Sequence, residues 1–315
     1  MGQEYFRLRA SQSVRRTSRH DPLAITGDLP LAWVPVGAMS MDVVFHGVRG
    51  STPCHSPETI RYGGNTSCVS LHVAGQQPLI LDLGTGLQYL GQEISQSQAP
   101  FHGTALLSHL HWDHVQGLPF FAPMMRDDAI LDVYGPAQED GVPLHTAIGE
   151  MIRPPMFPLS IMNFPGTFRF MDLADNDFSI GEFKVRSRQI PHVGNTLGFR
   201  IEIGGISVAY LSDHQQPYDG SHTVIKAVHE LVDDCDLLIH DSQYSPEEFQ
   251  RKFNWGHCTP DFAITVATEC RAKRLAMFHH DPLRHDSALD ALAKTPVSGG
   301  LEVIVAAEGM TLTLQ

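Results

Sequence analysis

The sequence predicts a layered α/β sandwich, with mixed strands inside and helices outside. Three observations predict it. From residue 41 onward, short apolar runs of β-type composition recur, bounded by Gly-, Pro- and Ser-rich turns. Segments with helical spacing of apolar residues fall between them, with no repeat period. Histidines and aspartates stand where several apolar runs end, which is where α/β enzymes gather their sites.

Taken in order, "MDVVFHGV" reads as the first strand, and "RGSTPCHSPETIRYGGNT" as a turn-rich loop. "SCVSLHVA" and "PLILDLG" read as short strands, "TGLQYLGQEI" as a helix and "GTALLSHL" as a strand that delivers a histidine cluster at its end. "DHVQGLPFF" reads as a helix start, with Asp113 suited to the N-cap. "ILDVYGP" resumes strand structure. The Met-, Pro- and Phe-rich stretch within 120–175 reads either as a packed irregular connection or as a lid over a site. Three strands follow in "FKVRSRQIPHVGNTLGFRIEIGGISVAYLSDH". "SHTVIKAVHELVDDC" reads as a helix, "DLLIHDSQY" as a strand, "TPDFAITVATECRA" as a helix and "RLAMFHHDP" as a strand. "LEVIVAAEGMTLTL" closes the chain.

The chain has 315 residues, 42% apolar and 18% charged, enough to bury a sizeable core. Its first 40 residues hold an Arg- and Ser-rich stretch without apolar periodicity. Such composition suits a transit peptide or a disordered extension. We read residues 1–40 as a disordered extension and residues 41–315 as the folded domain. The net charge is −13; residues 1–40 hold five arginines against three acidic residues, so residues 41–315 carry −15. That argues against a surface coated for nucleic acid. No apolar run approaches the roughly 18–20 residues that span a bilayer. Five cysteines (54, 68, 235, 258 and 270) are scattered without CxxC spacing. They read as reduced thiols of a cytoplasmic protein, not as a disulfide framework or a Cys-based zinc site.

Histidine is the anomaly, with 18 residues, several in short clusters. "HLHWDH" packs His109, His111, Asp113 and His114 into six positions. Imidazole and carboxylate are the standard nitrogen and oxygen ligands of zinc and related divalent ions. A catalytic zinc needs only about three protein ligands, so four candidates point to two metals completed from elsewhere. "QIPHVG", "VAYLSDH" and "RLAMFHH" supply His192, Asp213 and the His279–His280 pair, each at the end of an apolar run.

HxHxDH, a distal His, an Asp after a strand and a His after a late strand together resemble the metallo-β-lactamase superfamily. The resemblance spans residues 41–315 and implies a four-layer αββα sandwich. It implies that His109, His111 and His192 hold one ion, that Asp113, His114 and His279 hold a second, and that Asp213 bridges them. If the strand is extended, His279 and His280 point opposite ways; aligning "RLAMFH" selects His279, with His280 as the alternative. The ligand set suits two zinc ions and also admits manganese or iron. It implies a hydrolase using a metal-bridging hydroxide, with Asp113 orienting the nucleophile.

Within the superfamily, "GHCTPDFAITVA" resembles the HSTxxxA segment of the ribonuclease Z and cyclic phosphodiesterase branch, with Cys258 where Ser is usual. There His257 would protonate the leaving alkoxide. "LLIHDSQY" resembles that branch's HEATF segment, which implies that His240 and Asp241 hold ligands in place. "GVRGSTP…RYGGNTSCV" resembles its opening, so Arg49, Arg61, Asn65 and Thr66 could meet a phosphate or base. With −15 on the domain, a small phosphodiester such as a cyclic nucleotide is expected over tRNA. tRNA 3′ processing and lactone or thioester hydrolysis are the alternatives among enzymes, and a binding module with structural metals is the alternative outside them. The resemblance also implies a homodimer, and the lack of a long apolar run predicts no membrane attachment.

Overall fold

The computed structural model describes residues 39–97, 99–297 and 299–315. The expectation for the N-terminal extension therefore lies almost wholly outside the described residues. Strand β1 (Met41–Gly47) opens the domain. β2 (Cys68–Val73), β3 (Leu79–Leu81), α1 (Leu87–Ser95), β4 (His102–Leu106) and α2 (Trp112–Val115) follow. Then come β5 (Ile130–Pro136), α3 (Leu144–Met151), β6 (Thr167–Leu173), β7 (Asn176–Ile180), β8 (Phe183–Gln189), β9 (Leu197–Ile203) and β10 (Ile206–Leu211). The last third holds α4 (Lys226–Val232), β11 (Leu237–Asp241), α5 (Pro246–Lys252), α6 (Pro260–Glu269), β12 (Arg274–Phe278), α7 (Asp286–Leu292), β13 (Glu302–Val305) and β14 (Thr311–Leu314).

The strands form two seven-stranded sheets, ordered β14-β1-β2-β3-β4-β5-β6 and β13-β12-β11-β10-β9-β8-β7. One apolar core lies between them, built from Phe45, Leu71, Phe199, Tyr210 and Phe278 among others. Two outer cores pack helices on the far faces: Leu87, Leu90 and Ile148 on the first sheet, Val228, Leu231 and Phe262 on the second. Strands buried on both faces explain the nearly continuous apolar runs, since no face is left to carry polar residues. This is the expected four-layer αββα sandwich.

Parallel pairing of β3, β4 and β5, and of β10, β11 and β12, aligns the C-terminal ends of these strands. Parallel strands place their following loops at one edge, so the sequence's strand-end polar residues converge.

Several local expectations change. Residues 120–175 contain α3 and β6, the latter paired parallel to β5. Ile152, Ile161 and Phe164 join the outer core, so the stretch is a packed connection. Asp113 is not an N-cap: His111 holds the cap position of α2, and Asp113 lies in its first turn with Oδ2 accepting from Ser51 N at 2.7 Å. β4 ends at Leu106, so His109 and His111 lie on the loop beyond it and not on an extended strand. No helix among the described residues is long and apolar enough to cross a membrane.

Candidate metal centre

The site forms where four strand ends meet. The loop after β4 carries His109 and His111, and α2 carries Asp113 and His114. Loops after β8, β10 and β12 carry His192, Asp213 and His279. His279 takes a φ of 57°, which turns its ring into the cleft.

His109, His111, His192 and Asp213 form one group of ligand-type side chains and Asp113, His114 and His279 another, with Asp213 Oδ2 also facing the second. In the first, His192 Nε2 lies 3.2 Å from His111 Nδ1 and 3.6 Å from Asp213 Oδ1, and His109 Nε2 lies 3.9 Å from Asp213 Oδ1. In the second, Asp213 Oδ2 lies 3.1 Å from His114 Nε2 and 3.3 Å from His279 Nε2. Asp113 Oδ2 lies 3.2 Å from His114 Nε2 and 3.0 Å from His279 Nε2. Tetrahedral ligands about 2.0–2.1 Å from zinc stand roughly 3.3 Å from one another, which these spacings match. His109 Nε2, His114 Nε2 and Asp213 Oδ2 are buried without a hydrogen-bond partner among the described residues. Such atoms are costly unless something coordinates them. The donor set therefore fits two divalent cations.

Three of the imidazoles, those of His114, His192 and His279, are oriented from behind, as metal-binding histidines require. His114 donates Nδ1–H to Asp82 Oδ2 at 2.7 Å. Asp82 also accepts from Ser108 N at 2.7 Å and Tyr210 OH at 2.8 Å. His192 donates Nδ1–H to Gly256 O at 2.6 Å, and His279 donates to Gln243 Oε1 at 2.8 Å. These donations leave the opposite ring nitrogens facing the centre. The sequence reading missed Asp82, Ser108, Tyr210 and Gln243. Asp82 carried a usable signal, since it too follows an apolar strand run, "LILD".

Charge explains the protonation pattern. Burial pushes Asp113 and Asp213 up, but the facing histidines outweigh it and hold both well below the usual carboxylate range. Burial holds His109 well below neutrality and His192 down to about 4, so both offer lone pairs. Burial also opposes charge on His114 and His279, yet the surrounding carboxylates raise His114 well above its ordinary value and His279 to about 8. Divalent ions bound there would supply positive charge to the same carboxylates.

His257 lies beside the second group, its ring stacked 5.0 Å from that of His279. It donates Nδ1–H to Asp241 Oδ2 at 2.7 Å, so Nε2 is the nitrogen free to exchange a proton. Asp213, Asp241, His257 and His279 also form a ligand-like group, but that hydrogen bond already occupies His257 Nδ1. His240 reaches the site indirectly: its Nε2 lies 2.8 Å from His214 Nδ1, next to Asp213.

The other sequence-predicted residues are taken up by the framework. His280 turns away, its Nε2 2.9 Å from Ala306 O. Asn65 donates to Glu308 Oε1 at 2.6 Å, and Thr66 Oγ1 accepts from Thr85 N at 2.9 Å. Arg49 is wholly buried and donates to the carbonyls of Gly63, Asp281 and Arg284. Arg61 pairs with Asp290 at the surface. Glycine signals turn and cradle alike, so spacing alone could not separate phosphate contacts from loop anchoring.

Gly256 has a φ of 93°, and a Cβ there would stand 2.3 Å from His192 Cε1. Gly256→Ala is therefore expected to displace His192 and weaken metal affinity roughly 10–100-fold. Equilibrium dialysis against zinc checks this; unchanged affinity would show that His192 is not held by that loop.

A family model described as a β-lactamase superfamily domain matches residues 85–280. A ribonuclease Z of Natronomonas pharaonis is 24% identical over 295 residues, covering 76% of this chain and 87% of the relative. Among solved structures, the metallo-β-lactamase fold protein YhfI of Bacillus subtilis matches with a TM-score of 0.66 at 20% identity, covering 87% of this chain and 99% of that one. A diphosphatase of the PhnP family matches with a TM-score of 0.63 at 16% identity, covering 87% and 98%.

Proposed function

This chain belongs to the β-lactamase superfamily, and from that premise we propose that it is a two-metal phosphodiesterase acting on a small substrate, with cyclic nucleotides the foremost class. That it is a metal-dependent hydrolase follows from the family and its ribonuclease Z relatives. The observation that carries the finer reading is the His257–Asp241 pair beside the ligand cluster. Alkoxide leaving groups depart badly without a proton, and a positioned acid accelerates such departure about 10²–10⁴-fold.

His109, His111, His192 and Asp213 would hold one cation, and Asp113, His114, His279 and Asp213 the other. Bound there, two divalent ions would acidify a shared water and offset charge on the attacked phosphorus. Ser51 N–H and His279 fix the Asp113 carboxylate, which can orient the attacking water. His257 Nε2 can hand its proton to the departing oxygen, while Asp241 holds the ring in that tautomer. A net charge of −13 disfavours a large polyanion, and a small phosphodiester meets only the local field of the cations.

The ribonuclease Z relative favours a second reading, tRNA 3′ processing. The two are separated by assaying zinc- or manganese-loaded protein on 2′,3′- and 3′,5′-cyclic nucleotides, a precursor tRNA, a lactone and a thioester, with Asp113→Ala as blank. Cyclic nucleotide turnover absent in the blank is the expected result. Cleavage of tRNA alone would overturn the small-substrate reading, and turnover of lactone or thioester alone would overturn the phosphodiesterase.

A further inference from the structure

We propose that His229, Asp233 and Cys270 form a separate surface site for one borderline-soft divalent cation of the zinc class, outside the catalytic cleft. The sequence spacing of the cysteines argues against any Cys-based metal site, because Cys270 has no cysteine partner nearby in the chain. The fold supplies other partners. α4 ends at Val232 with Asp233 as its cap, and α6 ends at Glu269 with Cys270 as its cap. The two ends are joined by Asp234 N donating to Cys270 O at 2.9 Å.

Three donor atoms of different type converge there. His229 Nδ1 lies 3.1 Å from Asp233 Oδ1 and 3.4 Å from Cys270 Sγ, and all three lie mutually within 4.8 Å. Those are the separations of ligands around a tetrahedral ion, with water able to complete the shell. His229 Nε2 lies 3.2 Å from Glu269 Oε1. Donation of Nε2–H to that carboxylate leaves the Nδ1 lone pair facing the thiol and Asp233, the carboxylate–histidine–metal arrangement.

Electrostatics favour a cation at this point. Both helices end here, and their C-terminal carbonyls carry partial negative charge. Among the described residues, neither Asp233 nor Glu269 forms an ion pair with a lysine or arginine. Arg200 donates to the Leu231 and Asp233 carbonyls, not to the Asp233 carboxylate. The mixed nitrogen, oxygen and sulfur set selects zinc-class ions over magnesium or calcium. α6 separates this cluster from His257 by roughly 15 Å of helix, so the two sites load independently.

The test uses the full-length protein loaded with cobalt(II). The catalytic cluster contains only nitrogen and oxygen donors, so a sulfur-to-cobalt charge-transfer band in the near ultraviolet reports on a thiolate site alone. The band is expected in wild type and in Asp213→Ala, lost in Cys270→Ser and weakened at least about tenfold at fixed cobalt in His229→Gln. Zinc content should be about one ion per chain lower in Cys270→Ser than in wild type. No band in wild type, or a band unchanged by Cys270→Ser, overturns the proposal. If Cys270→Ser does not fold, a band unchanged by His229→Gln overturns it equally. Failure here leaves the catalytic reading untouched, since His229→Gln is expected to retain wild-type hydrolysis.

Discussion

Replacing Asp213 with alanine is expected to lower hydrolysis by about 1,000-fold or more and to leave the protein with fewer bound metal ions. Asp213 faces both ligand groups, with Oδ1 toward His109 and His192 and Oδ2 toward His114 and His279. It is 1% exposed, and its Oδ2 has no hydrogen-bond partner among the described residues. Charge stabilisation by bound metal is worth several kcal/mol in the transition state, and about 4 kcal/mol corresponds to roughly 1,000-fold in rate. The loss would act through occupancy: without Asp213, a cation in the first group would keep only histidines, and one in the second only histidines and Asp113. Metal analysis after gel filtration, beside turnover at saturating zinc, measures both effects. Two ions retained with turnover within tenfold of wild type would remove Asp213 from its bridging role.

Alanine at His257 should behave differently, and the contrast is the sharper test of mechanism. His257 Nδ1–H is committed to Asp241 at 2.7 Å, while Asp213 Oδ1 stands farther off at 3.7 Å. Metal content should therefore hold, while turnover of a cyclic phosphodiester drops by about 10²–10⁴-fold, the usual worth of a positioned general acid. A substrate with a nitrophenolate leaving group needs no proton at departure, so its hydrolysis should fall far less. Asp241→Asn should produce a smaller loss on the same alkoxide substrate, because Asp241 positions the imidazole and does not touch the reacting atoms. Equal losses on both leaving groups, or a parallel loss of metal, would reassign His257 to structure or ligation.

Much of this site was legible because its residues occupy a recurring local position. An apolar run ends, a turn begins, and the first polar side chain is His or Asp, as at His192, Asp213 and His279. Three sequence patterns without that position misled. Asp113 looked like an N-cap because a short polar residue precedes apolar ones, yet its carboxylate is drawn to Ser51, 62 residues away in the chain. Asn65 and Thr66 looked like anion contacts because glycines precede them, yet they anchor the loop to Glu308 and Thr85. β6 and α3 were hidden in a Met- and Pro-rich stretch whose strand is held by parallel pairing to β5. α5 went unread although it carries a capping box between Ser245 and Glu248.

By itself the sequence determined the layered sandwich, the strand ends at which the chemistry stands and the types of ligand offered there. Those follow from short-range rules: backbone hydrogen bonding sets the periods, burial sets which positions are apolar, and donor chemistry sets which ions fit. Tertiary structure alone decided which ring nitrogen faces the centre, that Asp82 and Gln243 hold His114 and His279, that His279 turns inward while His280 turns out, and that His229 meets Cys270 across two helix ends. Each of those is a contact between residues far apart in the chain. Its geometry depends on how whole layers pack, and no local pattern of residues encodes that.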